Sequence, residues 1–170
     1  MATRIEKQTP HHAEGLFSAL SDPRIYTYLD EAPPASPAAL RARLERLQSG
    51  GPANGSERWL NWTVFHDEAI AGYVQATVSG DGSVNIAYVL MPDFWGRGIA
   101  FEACRQMLAE LLRDHAPARF IADADRHNTR SRDLLARMGF TLIRETATEA
   151  CYAADPAEVA AMLRTSRDTG

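Results

Sequence analysis

No apolar run in the 170-residue chain approaches the ~18 residues that cross a bilayer, so a membrane-spanning helix is not expected. The stretch from Met1 to Pro10 is polar and lacks the apolar core of a signal peptide. Only two cysteines occur, Cys104 and Cys151, with no Cys-x-x-Cys and no His-x-x-x-His in the chain. This leaves no zinc ligand set, so no metal is expected, and it fits reduced thiols in a cytoplasmic protein. Basic residues are not in excess: 18 Lys and Arg stand against 22 Asp and Glu, a net charge of −4. General nucleic-acid binding needs a basic patch, so neither nucleic acid nor a membrane is an expected partner. No internal repeat or low-complexity tract is visible.

What is present is an ordinary globular composition, 45% hydrophobic and 24% charged, which excludes a collagenous or wholly disordered chain. A chain of this length buries roughly 70% of its unfolded surface. One domain spanning 1–170 is therefore expected, with a core that needs neither metal nor disulfide.

The punctuation along the chain divides it into elements. Arg4 to Gln8 alternates weakly and opens as a strand. Thr9-Pro10 caps a helix with Ala13, Leu16, Phe17 and Leu20 on one face. Ser36-Pro37 starts a second helix by the same logic, with Leu40, Leu44 and Leu47 buried. Trp59–Phe65 and Ala69–Val78 read as strands joined by a His66-Asp67-Glu68 turn, and Val84–Leu90 as a third. A helix follows with Cys104, Met107, Leu108, Leu111 and Leu112 on its apolar stripe. Then come a strand at Arg119–Ala124 and a helix at Asn128–Met138 stopped by Gly139. Phe140–Arg144 and Ala150–Ala154 are two more strands, and Asp155-Pro156-Ala157-Glu158 opens a short last helix as a capping box. The order is β-α-α-β-β-β-α-β-α-β-β-α, an α/β class with one mixed sheet and helices on its faces.

The stretch from Val89 to Ala100 carries the chemistry: a strand ends, a Gly-rich turn follows, and a helix begins. The first turn of that helix has four N–H groups without intrahelical partners, at the positive end of the helix dipole. Gly96 and Gly98 let a ligand approach the backbone, Ala100 keeps the next turn small, and Arg97 adds a cation. This is an anion site suited to a pyrophosphate, although a Gly-x-Gly before a helix is also often only a tight turn. It is not a Walker loop, because no Gly-Lys-Ser/Thr follows, and it lacks the third glycine of a dinucleotide fingerprint.

Trp95-Gly96-Arg97-Gly98-Ile99-Ala100 with Glu102-Ala103 resembles the acetyl-CoA pyrophosphate loop of the GNAT N-acetyltransferase superfamily. More narrowly it resembles the RimJ/RimL-type branch, the ribosomal-protein N-terminal acetyltransferases, where Trp is common in place of the Gln or Arg of the wider superfamily. Downstream, Asn128-Thr129-Arg130-Ser131, Leu134-Leu135 and Met138-Gly139-Phe140 match that branch's second signature, and Gly72 matches a glycine early in its third strand. The resemblance spans nearly the whole chain. It implies a GNAT-like fold in which the parallel strands Val84–Leu90 and Arg119–Ala124 splay apart to admit acetyl-CoA. It also implies that backbone N–H groups of Arg97 to Ala100 hold the pyrophosphate, and that the edge at Val89 and Leu90 pairs with pantetheine.

The implied activity is transfer of the acetyl group of acetyl-CoA to a primary amine, either a protein N-terminus or a small molecule, by direct attack. A non-catalytic CoA-binding module on the same fold is the alternative. The implied cofactor-binding residues are Val89, Leu90, Trp95, Gly96, Arg97, Gly98, Ile99, Ala100, Asn128 and Ser131. Asn128 also suits a plain helix N-cap. Ser131 is a candidate acid for the departing thiolate, with a bonded first-turn serine as the competing reading. Tyr152 is the rival acid, set against a buried tyrosine with a bonded hydroxyl. The general base is open: Glu31, Asp67 and Glu68 are acidic residues near acceptor-side loops, and each also reads as a solvated charge. An oxyanion donor is placed at a backbone N–H near Leu90 or Met91. Glu102 reads as structural, Cys104 as core, and Trp59 and Trp62 as cleft or core. Homodimers are common in the family.

Overall fold

The computed structural model describes residues 2–166. Among these residues, seven strands and five α-helices alternate much as the punctuation suggests. The first part runs β1 (Thr3–Lys7), α1 (Ala13–Leu20), α2 (Pro37–Gln48), β2 (Glu57–His66), β3 (Ala69–Ser79) and β4 (Ser83–Leu90). The second runs α3 (Ile99–His115), β5 (Arg119–Asp125), α4 (Thr129–Arg137), β6 (Thr141–Glu145), β7 (Glu149–Ala154) and α5 (Pro156–Thr165). No helix among the described residues is long and apolar enough to cross a membrane.

All seven strands form one sheet in the order β1-β2-β3-β4-β5-β7-β6. Every neighbouring pair is antiparallel except β4–β5. That parallel pair holds only at Ser83–Arg119, Val84–Phe120 and Asn85–Ile121. Beyond it the strands part, so Ile86–Leu90 and Ala122–Asp125 border a gap. Backbone groups on such a gap lack a strand partner and stay available to a ligand.

Two apolar clusters fix the layers. On one face, Val84, Ile86, Phe120 and Ala122 pack against Met107, Leu108 and Leu111 of α3, and against Leu135 and Val159. Phe120 is fully buried, and burying a side chain of that size contributes roughly 1.5–3 kcal/mol. On the other face, Leu16, Leu20, Leu40 and Leu44 of α1 and α2 pack onto Tyr73 of β3. These helices cover β3 and leave the surface beyond the gap open.

Local details refine the sequence expectations. Thr9-Pro10 opens a three-residue 3-10 turn before α1, and the Thr9 N–H donates to His12 Nδ1 at 3.1 Å. At α5, the Asp155 carboxylate accepts from the Ala157 N–H at 2.8 Å, two residues on, so the cap forms on the residue before Glu158. The β2–β3 turn is shorter than expected. Asp67 and Glu68 take it alone, both at positive φ, which is the twist a two-residue hairpin needs. His66 therefore stays in the strand and is buried. Trp62 is core, its indole N–H donating to Glu110 at 3.1 Å, and Trp59 bonds Glu57. β6 is an edge strand with all five residues exposed.

Candidate active site

A cleft of about 1310 Å³ follows the gap between β4 and β5. At one end lies the loop from Met91 to Gly98. Pro92–Phe94 makes a single 3-10 turn, and Gly96 and Gly98 take φ of 69° and 76°. A Cβ built on either glycine meets no atom within 4 Å. The glycines are therefore required by conformation, and the space beside them is empty of protein. Gly98 caps α3, its carbonyl accepting from the Glu102 N–H at 3.1 Å. The N–H groups of the first turn have no intrahelical partner and stand at the helix's positive end. A cradle of this shape and polarity fits a pyrophosphate.

The loop is tied down on several sides. The Trp95 indole N–H donates to the Leu90 carbonyl at 2.9 Å. The Leu90 carbonyl thus points away from β3, and strand geometry puts the Leu90 N–H on the same open side. The Met91 N–H is already committed to the Ala71 carbonyl at 2.8 Å. Of the two expected oxyanion donors, only Leu90 remains open. Val89 contributes its side chain to the cleft, while its carbonyl lies against Gly72 of β3. Glu102 is bound by Arg105 and Gln106, which hold its carboxyl below the usual range, and Gln106 links onward to Thr3 and Ile5 of β1. It is a structural tie, as expected.

Arg97 differs from expectation. Its side chain does not line the cleft but turns to the far side of the loop, over Phe94 and against His66. Two cations that do line the cleft come from α4. The Arg130 guanidinium stacks 3.6 Å from the Trp95 ring centre, and Arg137 stacks on Phe101 at 4.6 Å. The sequence reading missed both as charges, although Arg130 lies inside the Asn128–Ser131 signature.

That signature faces the cleft. Asn128 Oδ1 accepts from the Ser131 N–H at 3.1 Å, so it is the α4 N-cap as well as a lining residue. The Ser131 hydroxyl sits 2.7 Å from the Tyr88 hydroxyl, which also donates to the Ser131 carbonyl at 3.1 Å. Burial raises the Tyr88 pKa, so it keeps its proton. Tyr88 was missed too. The signal was its place in the apolar stripe Val84, Ile86, Tyr88 and Leu90, since a tyrosine there needs a hydroxyl partner. Tyr152 is buried outside the cleft lining, and its hydroxyl accepts from Arg132 Nε at 2.9 Å.

The cleft lining is also acidic. Asp30 and Glu31 join it from the segment after Tyr28, Asp123 and Asp125 from β5, Asp133 from α4 and Glu149 from β7. None of these six forms an ion pair among the described residues. Arg24, which also lines the cleft, is paired with Asp22 and Asp93. Asp67 and Glu68 are elsewhere, bonded to Ala2 and Arg4 at the hairpin. Tyr73 also lines the cleft, near Glu31, and burial pushes its hydroxyl up to about 12, so it does not serve as a base near neutrality.

No curated protein sequence matches the chain. Solved structures show what its fold is like. RimL, a ribosomal-protein α-N-acetyltransferase in complex with coenzyme A, superposes with a TM-score of 0.80 at 17% identity, covering 91% of this chain and 94% of that one. A ribosomal-protein alanine acetyltransferase from Vibrio fischeri gives 0.79 at 16% identity, covering 92% and 94%. An aminoglycoside acetyltransferase in complex with coenzyme A gives 0.77 at 18% identity, covering 94% and 98%. The model of the acetyltransferase (GNAT) domain matches residues 3–141. With that match over most of its length and a glycine-lined anion cradle opening into a parted β4–β5 pair, the chain belongs to the GNAT family and is an acetyl-CoA-dependent acyltransferase.

Proposed function

We propose that the protein transfers the acetyl group of acetyl-CoA to a primary amine carried on a cationic molecule, acting by direct attack. The carrying observation is the lining of the cleft, which combines free first-turn N–H groups and Arg130 with six carboxylates that have no ion-pair partner among the described residues. The pyrophosphate belongs on the N–H groups of Arg97 to Ala100. Trp95, Arg130 and Asn128 flank the pantetheine path, and the thioester reaches the gap beside Leu90. Main-chain groups of Leu90 on the open side pair with it as an added strand would.

The amine nitrogen attacks the thioester carbon, forming the C–N bond, and the carbonyl oxygen becomes an oxyanion facing the Leu90 N–H. Collapse breaks the C–S bond. The nitrogen gives up its proton to a cleft carboxylate or water, and the sulfur leaves as a thiolate. Ser131 donates a hydrogen bond to that sulfur when the Tyr88 hydroxyl turns from the Ser131 carbonyl and gives its proton to Ser131 Oγ. Because burial keeps Tyr88 protonated, it supports the serine without titrating. Ser131→Ala should lower kcat about 10²-fold with little change in KM for acetyl-CoA, as measured by free thiol release.

Six carboxylates without an ion-pair partner favour an acceptor with more than one positive charge. A ribosomal-protein N-terminus and an aminoglycoside both satisfy this, and they are the acceptors for which two similar enzymes are named. The test is free CoA release with spermidine, an aminoglycoside, a basic peptide and a singly charged alkylamine. Turnover should favour the multiply charged amines and fall as salt rises. Asp123→Asn with Glu31→Gln should raise KM for those amines and leave the alkylamine unchanged. Equal rates with all acceptors would contradict the charge assignment, and binding without any release would contradict catalysis. Two free, buried thiols suit a reducing, cytoplasmic setting.

A further inference from the structure

His66 belongs to no part of the acetyl-transfer chemistry, yet it is 8% exposed at the end of β2 and reaches the cofactor loop. Its Nε2 lies 3.3 Å from an Arg97 guanidinium nitrogen, and its Nδ1 lies 2.9 Å from the Thr3 hydroxyl. A guanidinium only donates, so Nε2 accepts, and the ring proton sits on Nδ1 and is given to Thr3. The imidazole also meets the Phe94 ring edge-on at 6.1 Å, and Arg97 covers the same Phe94 at 5.6 Å. Asp67 is 3.6 Å from Nε2, and Glu102 borders the same recess. Thr3, His66, Arg97 and Phe94 therefore form a chain of contacts from β1, through β2, to the underside of the loop.

We propose that His66 is a positioning residue for acetyl-CoA, anchoring the Arg97 side chain as a strut beneath the glycine loop and not as a phosphate ligand. This rests on the loop being the pyrophosphate site. Three independent contacts converge on the imidazole, whereas the Arg97 side chain is absent from the cleft lining. A loop with two left-handed glycines has little stiffness of its own, so its binding geometry depends on such supports. The Arg97 N–H still faces the ligand, and its side chain fixes the angle at which that N–H is presented.

Calorimetric titration of coenzyme A tests this on the full chain. His66→Ala should raise Kd about 3–10-fold, the loss of one supporting hydrogen bond. His66→Gln, whose amide oxygen reaches to about the place of Nε2, should restore Kd to within about twofold. Arg97→Met, on an exposed residue, should cost as much as His66→Ala, and at the same factor in low and high salt. The double variant should be no weaker than the weaker single. Multiplying effects, or an Arg97→Met loss that fades with salt, would make Arg97 a direct phosphate ligand and overturn the strut. Unchanged Kd in both single variants would also overturn the strut, with Arg97 neither support nor ligand. If wild-type protein does not bind coenzyme A, it is the pyrophosphate-loop reading that fails.

Discussion

Gly98→Leu should abolish acetyl-CoA binding while the protein stays folded. Gly98 has φ 76°, a left-handed conformation that costs an ordinary residue about 1–2 kcal/mol. That is a minor part of the roughly 5–15 kcal/mol of a typical domain. A Cβ there touches no protein atom, so packing adds nothing to the strain. The leucine side chain instead enters the space that the cradle leaves for phosphate, beside the free N–H groups of α3. The expected increase in Kd is at least about 100-fold, or roughly 2.7 kcal/mol. Calorimetry with a thermal melt of the same sample reads both quantities. Near-normal affinity in a folded Gly98→Leu protein would mean the ligand does not use this loop.

Gly72→Ala should have the opposite profile, with a large loss of stability first. Gly72 lies on β3 beside a bulge, where the register shifts between Val64 and Phe65 and leaves Ala71 without a partner on β2. A Cβ on Gly72 would land on the Val89 carbonyl oxygen, with the Leu90 Cα and side chain next to it. Two of those neighbours are backbone atoms of the adjacent strand, so no rotamer relieves the contact. Its φ of 152° adds strain. The expected cost is about 3 kcal/mol or more. In a chain of this size that lowers Tm by roughly 6–12 °C. The residues displaced, Val89 and Leu90, border the thioester path, so coenzyme affinity of the surviving fold should also fall. A Gly72→Ala protein melting within about 2 °C of wild type would contradict the packing described for the β3–β4 end.

The element order was legible because each element carries its own punctuation. Pro10, Pro37 and Pro156 open helices, Gly139 closes one, and the turns at Gly80-Asp81-Gly82 and Asp67-Glu68 separate strands. The glycine loop and the Asn128–Ser131 signature were legible as local strings. What was not legible depends on direction or on distance. His66 looked like part of a polar turn, because a turn needing only two residues cannot be told from one using three. Arg97 looked like a phosphate cation, because the side of the loop taken by a side chain between two left-handed glycines is set by three-dimensional packing. Tyr88 and Ser131 are 43 positions apart, and the acidic lining is assembled from Glu31, Asp123 and Glu149 on separate segments. Only the parting of β4 from β5 brings them to one cleft.

Thermal unfolding with and without acetyl-CoA, with NAD and ATP as controls, tests the central claim most directly. At about 100 times Kd, a ligand that binds only the folded state contributes about 2.7 kcal/mol. For a chain of this length that is a Tm rise of roughly 5–11 °C. The expected result is a rise of that size with acetyl-CoA, little or none with NAD or ATP, and none in Gly98→Leu. No shift at millimolar acetyl-CoA would contradict the assignment of the cleft, and an equal shift with ATP would reduce it to a general phosphate site.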